Sequence, residues 1–97
     1  MTDWQAIENT VCSIAPRYAI SFVSLFGSYA RDEQTETSDV DVLIETDDGF
    51  SLFDAMAFEE ELEEALSCNV DIISRRSLKG PFRDQALKEE LKLYERA

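Results

Sequence analysis

Apolar residues recur along this chain first at helical spacing and then in continuous or alternating runs, and the switches mark its elements. Trp4, Ile7, Val11 and Ile14 recur every three or four positions until Pro16. Thr2 followed by Gln5 forms a capping box in front of them, so the first element is an amphipathic helix. "AISFVSLF", Ala19 to Phe26, is aromatic and aliphatic and stops at Gly27, which predicts a strand running into a turn. A short helix can begin at Ser28. The polar "DEQTETS" leads into "DVDVLIE", whose period of two puts Val40, Val42 and Ile44 on one face of a second strand and Asp39, Asp41 and Leu43 on the other.

"TDDG" then predicts a turn. Ser51 and Asp54 are placed to cap a helix whose buried stripe is Leu52, Ala55, Phe58, Leu62 and Ala65 or Leu66. Its other side carries Glu59, Glu60, Glu61, Glu63 and Glu64, read first as a solvated face and second as a docking face for a partner. "NVDIIS" is a third short strand. Pro81 suits the first turn of a last helix, with Leu87, Leu91 and Tyr94 on one side. Helices and strands in this order predict an α/β or α+β fold, a small sheet covered by helices.

Composition narrows the class. The 97 residues support one domain from end to end with a modest core, and 44% hydrophobic with 31% charged residues is a globular balance. No apolar run approaches a membrane span and the start lacks a basic signal-peptide region, which predicts a cytoplasmic location away from the membrane. Asp and Glu number 21 against 9 Lys and Arg, a formal charge of -12, so the surface repels nucleic acid and attracts basic proteins. Cys12 and Cys68 have no metal-ligand spacing and read as reduced, packed thiols. The chain has no histidine, which removes histidine-based triads, histidine bases and imidazole zinc sites.

Asp39 and Asp41 are the anomaly in this pattern, because strands disfavour Asp and like charges on one face repel. Residues two apart in a strand have Cα atoms roughly 7 Å apart, close enough for both carboxylates to converge on cations between them. Two-metal sites hold their ions roughly 3.5–4 Å apart, and oxygen ligands of this kind suit Mg²⁺. Asp71 is embedded among Val70, Ile72 and Ile73 in the same way and can complete the site if the second and third strands are neighbours. Gly27 allows a tight turn close to a ligand, Ser28 offers a hydroxyl and an amide to phosphate, and Arg31 lies one turn further on.

The run "GSYARDEQTETSDVDVLIE" resembles the hallmark of the polymerase-beta-like nucleotidyltransferase superfamily, a Gly-Ser turn followed by an Asp-x-Asp strand. The small size, "SLFDAMAFEEELEEAL", "VDII" and "ALKEELKLYE" resemble more narrowly the minimal nucleotidyltransferase (MNT) antitoxins. This resemblance implies a mixed sheet flanked by helices, with ATP as substrate and two Mg²⁺ ions. It also implies a HEPN-domain ribonuclease toxin as partner in a hetero-oligomer, some family members transferring AMP to a tyrosine of that toxin. By position, Gly27 and Ser28 would hold the phosphates and Asp39 and Asp41 the metals, while Asp71 would be the third carboxylate, binding metal and activating the attacking hydroxyl. Arg31 and Ser38 would contact phosphate or brace the motif. Asp32 stands where many relatives have Gly and adds negative charge beside the proposed phosphates.

Other readings are open to the same residues. Asp39 and Asp41 could guard a strand edge against aggregation. An EF-hand is excluded, because Leu43 and Ile44 occupy the positions that loop gives to a ligand and to Gly. Arg75, Arg76 and Lys79 read as an exposed loop before a phosphate or partner contact, Tyr94 as core, and Tyr29 as either core or a base contact. An antitoxin that acts by binding alone, or a transferase subunit for a small molecule, would use the same fold.

Overall fold

The computed structural model describes residues 4–31, 33, 35 and 38–96. Thr2 lies outside these residues, and with it the first predicted cap. The elements run α1 (Trp4–Ile14), a 3-10 turn (Ala15–Arg17), β1 (Ile20–Phe26), β2 (Val40–Thr46), α2 (Leu52–Leu66), β3 (Val70–Ser74), a second 3-10 turn (Arg75–Ser77), α3 (Gly80–Glu89) and β4 (Leu91–Glu95). The four strands form one mixed sheet in the order β3-β2-β1-β4. β1 is antiparallel to both β2 and β4, whereas β2 and β3 are parallel.

Both faces of the sheet are covered, by different helices. Val40, Val42 and Ile44 of β2 join Ile7, Val11, Phe58 and Leu62 in the main core beneath α1 and α2. Leu43 points the other way and is completely buried in a smaller cluster with Leu78 and Ala86, against which Phe26 and Ile73 pack. A strand sandwiched in this manner is apolar on both sides, so Asp41 and Glu45 are the exceptions on the α3 face of β2.

The cap read from Ser51 and Asp54 is present in full. The Ser51 hydroxyl accepts from the amide of Asp54 at 3.1 Å, and the Asp54 carboxylate accepts from the amide of Ser51 at 3.0 Å. Leu52 is a correction, because it is 76% exposed rather than part of the buried stripe. The acidic side of α2 is also less uniformly solvated than expected. Glu61 accepts from Arg17 and from the Tyr18 hydroxyl, and Glu63 accepts from the Val70 amide at 3.0 Å, fixing the entry to β3.

The largest correction is at the end of the chain. The helical stripe Leu87, Leu91 and Tyr94 is broken, because α3 stops at Glu89 and Leu91–Glu95 is a strand. There Leu93 is buried beside the main core and Tyr94 packs on its margin. Pairing with β1 satisfies a row of backbone groups that a longer helix would leave open, a non-local gain that outweighs the local periodicity. At the break, Arg75 donates to Glu90 at 2.7 and 3.2 Å and to Glu45 at 3.0 Å, and its guanidinium lies 4.6 Å over the Phe22 ring. Ser24, buried within β1, donates to the same Glu90 at 3.1 Å. Arg75 is therefore a half-buried clamp and not the exposed loop residue expected, while Arg76 and Lys79 are exposed. Both cysteines are free. Cys68 is half-buried, but Cys12 is exposed and so contradicts the packed thiol expected there.

Candidate active site

The carboxylates meet where β1 ends and β2 and β3 begin. The β2–β3 register pairs Asp41 directly with Asp71, and the β1–β2 register pairs Asp41 with Phe26, the residue before Gly27. Three chain segments thus converge on Asp41. Parallel neighbours lie roughly 4.8 Å apart, so two aspartates in register on one face are forced together. Asp39 precedes the first residue of β2, is exposed, and adds its charge to that of Asp41.

The electrostatic consequence falls on Asp41. Burial first, then the charge of Asp71 and a hydrogen bond shared with it, and then Asp39 push the Asp41 carboxyl from 3.8 up to about 6, while the Arg31 guanidinium pulls it down. Carboxylates brought this close repel each other unless a positive charge comes between them. A divalent cation is one such charge.

Gly27 makes room for this arrangement. Its φ of +77° lies in the left-handed region, and a Cβ there would stand 2.6 Å from Oδ2 of Asp41. The following residues form a hydrogen-bonded turn rather than the short helix expected from Ser28. The Arg31 amide donates to the Gly27 carbonyl at 3.1 Å and that of Glu33 to the Ser28 carbonyl at 2.8 Å. Tyr29 is buried in the main core, which resolves its two readings in favour of packing. Arg31 reaches Glu33 at 2.9 Å and Glu89 at 3.2 Å, tying the turn to the end of α3. Ser38 braces the approach to β2, its hydroxyl accepting from the Thr35 amide at 2.8 Å and its amide donating to the Thr35 carbonyl at 3.1 Å. Asp32 lies outside the described residues.

The structure therefore brings Gly27, Asp41 and Asp71 into one place, with Asp39 and Arg31 at the margin and Ser38 in the supporting loop. Among the described residues, no three acidic, Cys or His side chains are already drawn into a metal cage. The donors fit Mg²⁺ by chemistry, being carboxylate oxygens whose mutual repulsion a cation would relieve. Sequence reading missed the part played by Glu89, whose contact with Arg31 spans 58 positions and leaves no local signal.

Comparison with known proteins agrees with this geometry. The profile of the family described as "Polymerase beta, Nucleotidyltransferase" matches residues 9–97, and the chain belongs to that family. It is 40% identical over 83 residues to a "putative protein adenylyltransferase" of Methanocaldococcus jannaschii, covering 86% of this chain and 89% of that one. A solved structure described as that of a "putative minimal nucleotidyltransferase" is 35% identical, with a TM-score of 0.81 over 93% of this chain and 95% of the other. The fold is also shared, at 21% identity and a TM-score of 0.70, with a structure of a tri-AMPylated Shewanella oneidensis HEPN toxin in complex with its MNT antitoxin; the match covers 95% of this chain and 72% of that one.

Proposed function

We propose that this protein is an antitoxin that transfers AMP from ATP to a tyrosine of a HEPN ribonuclease toxin and so silences it. The observation that carries the reading is the Asp41–Asp71 pair, held in register beside a glycine that leaves no room for a side chain. The name of the Methanocaldococcus relative and the toxin complex that shares the fold support the same assignment.

Gly27 and Ser28 present backbone and hydroxyl groups to the phosphates, and Arg31 supplies positive charge once phosphate competes for it with Glu33 and Glu89. Asp39, Asp41 and Asp71 would hold Mg²⁺. Bound there, Mg²⁺ supplies charge neutralisation for the triphosphate and the leaving pyrophosphate. Asp71 would take the proton of the tyrosine hydroxyl, whose pKa is ordinarily about 10. The tyrosine oxygen forms a bond to the α-phosphorus of ATP. The bond from that phosphorus to the bridging oxygen breaks, and pyrophosphate leaves with the electron pair.

Toxin ribonuclease activity, measured after this protein has been added and then removed, tests the reading. Silencing that persists only when ATP was present supports covalent transfer. Silencing that reverses on removal, with or without ATP, identifies an antitoxin that acts by binding and contradicts the proposal.

A further inference from the structure

The side of α2 turned away from the core has an unusual composition. Phe53, Met56, Glu60 and Glu64 succeed one another at helical spacings of three and four and are all exposed, so they form one solvent-facing stripe. Its first half is apolar. Phe53 is 81% exposed, Leu52 beside it 76% and Met56 58%, a contiguous patch of large side chains without cover. Its second half is anionic. Glu63, beside Glu64, accepts from the amide of Val70, the first residue of β3, at 3.0 Å. The acidic end of the stripe thus lies next to the strand that carries a candidate catalytic carboxylate.

We propose that this stripe of α2 is where the acceptor protein docks, through a helix or ridge that offers an apolar socket to Phe53 and Met56 and Lys or Arg side chains to Glu60 and Glu64. The inference rests on the proposed transfer to a protein and adds the surface that selects it. Charge complementarity decides the kind of occupant. α2 carries Asp54, Glu59, Glu60, Glu61, Glu63 and Glu64 and no Lys or Arg, so it presents a negative field to an approaching partner. A second copy of this chain fits poorly. Antiparallel alignment of two α2 helices would set Phe53 and Met56 against carboxylates, and parallel alignment would set carboxylates against each other. A basic partner laid along α2 meets neither conflict, and its basic end comes to rest near the start of β3.

The test is calorimetric titration with the HEPN ribonuclease toxin of the proposed function, using wild type and the double variants Phe53→Ser with Met56→Ser and Glu60→Lys with Glu64→Lys. Thermal melting of each variant confirms its fold, because these side chains contribute little to the core. The first pair is expected to weaken binding by about 30-fold or more and the second by about 10-fold, as for anchors and charges at an interface. ATP binding is unchanged in both. Variants that bind the ribonuclease as wild type does overturn the docking surface, as does a wild-type dimer that the Phe53 and Met56 changes dissolve while toxin affinity holds. Docking through α2 without gain of AMP on the toxin leaves the surface standing and removes the catalytic reading. A wild-type protein that does not bind the ribonuclease removes both.

Discussion

The α3 face of the parallel pair β2–β3 solves the same electrostatic problem in two opposite ways. Near the end of β2, Glu45 is joined by Arg75, which also holds Glu90 and lies over Phe22, so acidic side chains there are balanced inside the protein. At the start of the strand, Asp41 is set beside Asp71 with Asp39 close by, and its carboxyl is pushed up to about 6 because burial and like charges go uncompensated. One cluster stabilises the fold, where it pins the break between α3 and β4. The other costs stability, and uncompensated charge of this kind is concentrated at functional sites.

The contrast can be broken by substitution at each end. The largest effect is expected from Asp39→Asn with Asp41→Asn, which should lower AMP transfer by about 1,000-fold or more in a radiolabelled ATP assay, the scale of losing metal-borne charge stabilisation. Binding of the toxin should survive. Gly27→Val tests the space beside Asp41. It imposes a side chain at positive φ against Oδ2 and should lower transfer by about 100-fold, measured in the same assay, with about 1–2 kcal/mol of destabilisation from backbone strain.

At the other end, Arg75→Ala should cost about 2 kcal/mol in urea unfolding, because it strands Glu90, whose side chain is 12% exposed, and Glu45 together. Residual transfer per folded molecule should change little.

Asp41→Asn gives a smaller effect of opposite sign in the metal-free protein. The folded state of wild type binds the Asp41 proton more tightly than the unfolded state. The contribution of this group is therefore fully present below about pH 4 and is lost as pH rises through about 6. Unfolding curves for the Asn variant should coincide with wild type near pH 4. At pH 7–8 they should show a gain of about 1–2 kcal/mol, reduced by solvent screening at a half-buried site. Ser51→Ala, remote from both clusters, should cost about 1 kcal/mol through loss of the α2 cap and leave transfer intact.

These clusters differ also in how far the sequence reveals them. Asp39, Asp41 and Asp71 stand out because each breaks an apolar strand pattern, and Gly27 because it follows one directly. The Ser51–Asp54 cap is equally local. The parallel register that sets Asp41 against Asp71 is not local, and neither is the clamp of Arg75, whose partners Glu45 and Glu90 lie 30 and 15 positions away. β4 was hidden for a different reason. Leu87, Leu91 and Tyr94 fit a helix as well as any stripe in the chain, and the unpaired edge of β1 that captures Leu91–Glu95 is 66 or more residues upstream. Leu52 shows the converse, since its periodicity with Ala55, Phe58 and Leu62 gives no sign that the first turn of α2 projects into solvent.

The central claim is that the uncompensated carboxylates at the start of β2 and β3 transfer AMP, and intact mass spectrometry of the toxin tests it most directly. The toxin is incubated with ATP, Mg²⁺ and either wild type or the Asp39→Asn, Asp41→Asn variant. A gain of one or more AMP units with wild type alone is the predicted result. An unmodified toxin with both proteins, each of which still silences it, would contradict the account and leave a binding antitoxin in its place.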